Sequence, residues 1–253
     1  MRLPRIYTAA ELTVAVEITL EKQASHHLVT VLRVKSGTQV LLFNGDGFDY
    51  LANIIEAGKS TRLEIISRQE NPTESPLDIS LLLASIRKDR MDYSIQKSVE
   101  LGVDRIVVFH ADLSTGKPLR ERERRKKEHW QAVIRSAAEQ SGRSRITTID
   151  YAENLDAALD TFSTNDPDAL CVLLNPNAEI SLAARLHRYT EDITTPRTIV
   201  LAIGPESGFS ANELRTAESS NFTSTSLGQR VLRAETAPVC ALAVLQATLG
   251  DLA

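Results

Sequence analysis

Four nearly unbroken apolar runs, Ile79–Ala84, Arg105–Phe109, Ala169–Leu174 and Thr198–Ile203, punctuate the last two thirds of the chain. A strand with one solvated face alternates apolar and polar residues, whereas a strand covered on both faces reads as a continuous apolar run. Helical periodicity fills the intervals, over residues 89–101, 119–140, 155–162, 182–189, 211–219 and 236–249. Strands alternating with helices of this length predict an α/β fold with a parallel sheet covered on both faces. Ligands of such sheets bind beyond the carboxyl ends of the strands.

The first part of the chain has a different rhythm. Short β-rich runs at Val14–Leu20, Gln39–Phe43, Tyr50–Ile55 and Arg62–Ile66 are separated by turn signals at Lys35-Ser36-Gly37 and Asn44-Gly45-Asp46-Gly47. Such closely spaced strands predict a small barrel or sandwich. The stretch Asn71-Pro72-Thr73-Glu74-Ser75-Pro76 reads as a linker, which sets the expected domains at 1–72 and 73–253.

With 42% hydrophobic and 25% charged residues the chain can bury a core, which excludes wholesale disorder. Its formal charge of −4 argues, as a total, against a polyanionic partner. The total hides an uneven distribution: residues 1–72 sum to zero, 73–150 to +3 and 151–253 to −7. Arg87, Lys88, Arg90, Lys97 and the run from Lys117 to Lys127 form a basic middle, although Arg120–Glu128 reads equally as a solvated helix face. Cys171 and Cys240 lack metal-ligand or redox spacing and are expected as small buried hydrophobes, with no metal site. Arg2, Pro4, Arg5 and Glu11 interrupt the N-terminus, and no apolar stretch reaches the ~18 residues of a membrane span, so the expectation is a cytoplasmic protein without a membrane partner.

Two loops carry the candidate chemistry. The run Ile199–Ile203 enters Gly204-Pro205-Glu206-Ser207-Gly208, and Ser210 with Glu213 makes a capping box that opens the next helix. A strand, a tight glycine loop and a helix N-terminus expose backbone N–H and C=O groups suited to a nucleoside-like ligand, and a plain βα turn uses the same residues. The second loop, Ser226-Leu227-Gly228-Gln229-Arg230-Val231-Leu232-Arg233-Ala234, leads through Glu235 and Thr236, the expected caps, into the final helix. The glycine spacing is not a dinucleotide fingerprint, and GxxxxGK[ST], GxSxG and HExxH are absent.

These two loops, Ile203–Ser210 with Glu213 and Leu227–Ala237, resemble those of the RsmE-type 16S ribosomal RNA uridine N3-methyltransferases, within the SPOUT superfamily. Further matches follow in order: Arg2-Leu3-Pro4-Arg5, His27, Val31-Leu32-Arg33, Gln96–Val103, Trp130 and Ala138–Arg143. The resemblance implies a small PUA-like β-barrel for RNA recognition followed by a SPOUT-type trefoil-knotted parallel-sheet domain, working as a homodimer on 16S rRNA within the small ribosomal subunit. S-adenosylmethionine is the implied cofactor, with Leu174, Gly204, Glu206, Gly208, Leu227, Gly228 and Leu232 as its binding residues. The family usually has glycine where Ser207 stands, so a left-handed backbone there would strain serine.

Methylating uridine N3 requires loss of the imide proton and in-line attack on the methyl group, with the base unpaired and positioned. Arg233 is the leading candidate to stabilise the uracil anion, or else it pairs with Glu235 or Glu206. Glu139 is a candidate base or base-edge partner, or an ordinary helix-surface residue. Arg5, Arg33, Arg87, Lys88 and Arg143 are candidate RNA contacts, and Trp130 is expected in the core. Another RNA target, or a non-catalytic RNA-binding or ribosome-assembly module, are the alternatives.

Overall fold

The structure is a computed structural model that describes residues 3–114, 123–162, 168–191 and 197–252. The first part of the basic run from Lys117 therefore lies outside the described residues. The chain divides into two compact units, Met1–Glu74 with Arg135–Ile146 and Ser75–Ile134 with Thr147–Ala253. Composition places a single cut at residue 72, whereas the first unit also takes in Arg135–Ile146.

In the first unit, β1 (Arg5–Tyr7), β2 (Glu17–Thr19), β3 (Gln39–Phe43), β4 (Phe48–Glu56) and β5 (Arg62–Glu70) form a sheet in the order β1-β3-β4-β5-β2. A short helix α1 (Lys22–His26) continues into a π-helical turn, His27–Val31. Ile6, Leu28, Val40, Leu42, Ile54, Leu63 and Ile65 make its core. Alternation along β4 and β5 directs one face of the sheet inward, as the period of two requires.

A polar hub explains why Arg135–Ile146 belongs to this unit. Buried Arg5 pairs with Asp49 at 2.5 Å and donates from Nη2 to the Arg143 carbonyl at 3.1 Å. Asn71 Nδ2 donates to the Gly142 carbonyl at 2.8 Å, and Glu74 accepts from the backbone N–H groups of Ser144 and Arg145 at 2.9 and 2.8 Å. Arg143, 3% exposed, pairs with Glu74 at 2.9 Å. Charged groups buried this deeply must be paired, and here each is.

The second unit contains β6 (Asp78–Ala84), α2 (Lys88–Glu100), β7 (Arg105–Phe109), α3 (Glu123–Ser141, shared with the first unit from Arg135), β8 (Thr148–Ala152), α4 (Leu155–Asp160), β9 (Leu170–Leu174), α5 (Leu182–Glu191), β10 (Thr198–Ile203), α6 (Ala211–Ser219), β11 (Thr223–Thr225) and α7 (Thr236–Leu249). Its strands pair in parallel in the order β11-β9-β10-β6-β7-β8. Leu81, Leu82, Leu83, Val107, Val200 and Leu201 are fully buried, as the apolar runs require, and each such leucine contributes roughly 1.5–3 kcal/mol through burial. Three strands escape sequence reading: β1, β8 and β11. β8 and β11 are edge strands of their sheet, and β11 is only Thr223-Ser224-Thr225, with no apolar run to announce it. Among the described residues no helix is long and apolar enough to cross a membrane.

Candidate active site

Parallel register brings three strand ends together. Ile203 of β10 lies opposite Leu174 of β9, and Thr225 of β11 lies opposite Leu174 from the other side. Beyond them opens a cleft of about 610 Å³, walled by the 204–208 loop on one side and the 227–234 loop on the other. Leu174, Gly204, Glu206, Gly208, Leu227, Gly228 and Leu232, all seven expected cofactor residues, line it. Gly208 and Gly228 have φ of 77° and 94° with open space where a Cβ would stand, so backbone conformation rather than crowding selects glycine.

The first wall is held from below. Ser210 caps α6, its Oγ accepting from the Glu213 N–H at 3.1 Å while its own N–H donates to Glu213 Oε2 at 2.8 Å. Glu213 Oε1 also accepts from the Asp112 N–H at 3.0 Å, and Ser210 Oγ donates to Asp112 Oδ2 at 2.6 Å. Ser207 adds a third tie by donating to the Leu113 carbonyl. Its backbone is not left-handed, so the strain expected for serine at this position is absent, and the turn is absorbed by Gly208.

The second wall corrects an expectation. Glu235 is the N-cap residue of α7 but makes no side-chain cap bond. Its Oε1 lies 3.7 Å from Arg90 Nε and 3.9 Å from Arg233 Nη1, while Oε2 is buried without a hydrogen-bond partner. Arg90 Nη1 also donates to Glu206 Oε1 at 2.9 Å.

Other expected site residues separate from this cleft. Arg233 is 78% exposed and does not line it, whereas Arg230 does, and among the described lining residues Arg230 is the cation. Glu139 belongs to the first unit, where its Oε1 accepts from the Tyr7 N–H at 3.0 Å. Burial raises its carboxyl above the ordinary value, against the lowering pull of the Tyr7 N–H, His27, Arg5 and Arg135. It is not among the cleft-lining residues, and its carboxylate is bonded to the backbone of β1. Arg5 and Arg143 are not the exposed residues an RNA contact leads one to expect: both guanidiniums are largely buried in the polar hub, paired with Asp49 and Glu74. Arg33, Arg87 and Lys88 are exposed, Arg33 in a left-handed conformation with φ of 54°. Trp130 is buried, as expected of a core residue. Sequence reading missed Thr225, a fully buried cleft residue whose Oγ1 has no hydrogen-bond partner, because nothing in a short polar edge strand marks it.

Residues 73–246 match the RNA methyltransferase domain family, and residues 20–62 match the RNA methyltransferase PUA domain family. The chain belongs to the RNA methyltransferase family. Within it, the chain is 31% identical over 252 residues to the ribosomal RNA small subunit methyltransferase E of Buchnera aphidicola subsp. Schizaphis graminum, covering 99% of this chain and 98% of that one. The enzyme of the same name from Bacillus subtilis is 25% identical over 94% of this chain and 93% of its own length. Among solved members, the ribosomal RNA small subunit methyltransferase E of Neisseria gonorrhoeae bound to S-adenosyl methionine superposes with a TM-score of 0.87 at 31% identity, covering 100% of both chains. A Legionella pneumophila methyltransferase in complex with the cofactor SAM gives 0.88 at 35% identity, covering 99% of this chain and 100% of that one.

Proposed function

We propose that this RNA methyltransferase transfers a methyl group from S-adenosylmethionine to N3 of a uridine in the 16S rRNA of the small ribosomal subunit. The observation that carries the reading is the convergence of all seven expected cofactor residues on one cleft at the carboxyl ends of β9, β10 and β11. The residues fit such a cofactor: the floor is apolar, glycine loops present backbone groups, and the Thr225 hydroxyl, 0% exposed and unpartnered, is left for a ligand to satisfy.

S-adenosylmethionine, when bound, supplies an electrophilic sulfonium methyl. The two loops hold it and exclude water, and the base enters unpaired with N3 toward the cleft. Arg230 stabilises the uracil anion that forms when water takes the imide proton, and Arg233, outside the lining and largely exposed, meets the RNA around the base. Arg33, Arg87 and Lys88 add phosphate contacts.

The reading includes a PUA-like barrel, supported by the five-stranded first-unit sheet and the match over 20–62, and a trefoil knot in the second unit, implied by the resemblance of its two loops to the SPOUT superfamily. It includes a homodimer, supported by α7: Val239, Cys240, Ala243, Val244 and Ala247 leave an apolar stripe incompletely buried within one chain. The cytoplasm is the compartment in which such a substrate is met. Nucleoside mass analysis of 16S rRNA from cells with and without the protein tests the assignment. Loss of one 3-methyluridine is expected; an unchanged 3-methyluridine content overturns the choice of base atom.

A further inference from the structure

No strand ladder joins the two walls of the cleft directly. Their strands, β10 and β11, are not neighbours in the sheet, because β9 lies between them. No ladder of hydrogen bonds can therefore tie the loop after β10 to the loop after β11. Among the described ion pairs, those of Arg90 reach both.

Arg90 lies in the first turn of α2, outside both loops, with its side chain 29% exposed. One edge of its guanidinium donates to Glu206, which lines the cleft from the first wall. Its Nε faces Glu235, which directly follows the cleft residue Ala234 in the second wall. A planar guanidinium serves two acceptors in fixed directions, which the point charge of a lysine does not. Without Arg90, two carboxylates face the same gap, and the remaining cation at Glu235, Arg233, is 78% exposed at 3.9 Å and strongly screened. Glu235 Oε2 has no hydrogen-bond partner, so that carboxylate depends on what reaches Oε1.

We propose that Arg90 is a positioning residue that fastens the two walls of the cleft to α2 and through it to each other, so that the cofactor meets a formed site. The role rests on the S-adenosylmethionine reading of the cleft. Arg90 does not line the cleft and its side-chain ion pairs run to Glu206 and Glu235, so its loss is expected to leave the fold in place and to lower the fraction of molecules with both walls set. An apparent affinity falls in proportion to that fraction.

Calorimetric titration of the full-length protein with S-adenosylmethionine, with thermal melts alongside, tests this. Arg90→Ala is expected to raise Kd about tenfold, corresponding to about a tenth of molecules with both walls set. Its melting temperature should fall by no more than about 4 °C, the effect of losing a partly exposed ion pair. Arg90→Lys should not restore affinity, and adding Glu235→Gln to Arg90→Ala should weaken binding no further. Glu235→Gln, which cuts one arm with little change of shape at a residue that does not line the cleft, should raise Kd even if Arg90→Ala folds poorly. A wild-type protein that binds while Arg90→Ala and Glu235→Gln bind within twofold of it overturns the role of Arg90 alone. Full rescue by lysine does the same, by reducing the effect to charge. A folded wild-type protein that gives no binding overturns the cofactor reading and this role with it.

Discussion

Leu174 and Thr225 stand opposite one another in the parallel pair β9 and β11; both line the same cleft, and the Thr225 Oγ1 is buried without a hydrogen-bond partner. An unsatisfied buried hydroxyl costs stability in the unliganded protein, while a ligand that reaches it recovers that cost on binding.

Thr225→Val keeps the shape of the side chain and removes the hydroxyl. Calorimetry should show S-adenosylmethionine binding about five- to tenfold more weakly, the effect of one hydrogen bond of about 1 kcal/mol. Urea unfolding should show stability equal to or above wild type. A less stable variant with unchanged affinity would mean that the hydroxyl serves the fold and not the ligand.

Ser207 tests the first wall. Because its backbone is not left-handed and its hydroxyl reaches the Leu113 carbonyl, Ser207→Gly relieves no strain. It should lower stability by about 1 kcal/mol in urea unfolding, through the lost bond and the added freedom of the unfolded chain. A gain in stability would contradict the observed backbone.

The sequence made the second unit legible because its central strands are covered on both faces and therefore apolar throughout. Thr198–Ile203 and Arg105–Phe109 begin and end where hydropathy places them, and α6 starts at its capping box. The cleft residues were legible through their motifs. What stayed hidden depends on distance in the chain. Nothing near Arg5 announces that Asp49, 44 residues later, and Arg143, 138 residues later, will enclose its guanidinium, so a motif arginine reads as an RNA contact. Arg90 reads as one basic residue among several until folding sets it beside Glu206 and Glu235. Thr225 lies in a strand of three polar residues, too short for any period to show.

Arg5→Ala should be far more damaging than loss of a surface arginine. It leaves Asp49 without its counter-charge and removes the donor to the Arg143 carbonyl and to Ser144 Oγ. A loss of about 3–5 kcal/mol is expected by urea unfolding. A loss below about 1 kcal/mol would return Arg5 to the surface and reopen its reading as an RNA contact.

Glu139 gives a pH dependence with a defined sign. Burial raises its carboxyl above 4.5, so the folded state holds the proton more tightly than the unfolded state does. Its contribution to stability therefore falls as pH rises from the ordinary carboxylate value through the raised one, and returns on acidification. Glu139→Gln retains an acceptor for the Tyr7 N–H and removes the titration. Measured by urea unfolding at pH 5 and pH 7, the stability of the variant relative to wild type should be greater at pH 7. An equal difference at both values would contradict a burial-dominated carboxyl.

The cleft between residues 204–208 and 227–234 is proposed to deliver a methyl group to uridine N3 of small-subunit rRNA. Purified protein, incubated with isotopically methyl-labelled S-adenosylmethionine and small ribosomal subunits from cells lacking the protein, tests it most directly when the rRNA is digested and its nucleosides are weighed. One labelled methyl per subunit is expected, recovered as 3-methyluridine and strongly reduced with Thr225→Val at subsaturating cofactor. Label recovered on another nucleoside, or no label from a folded protein that binds the cofactor, would contradict it.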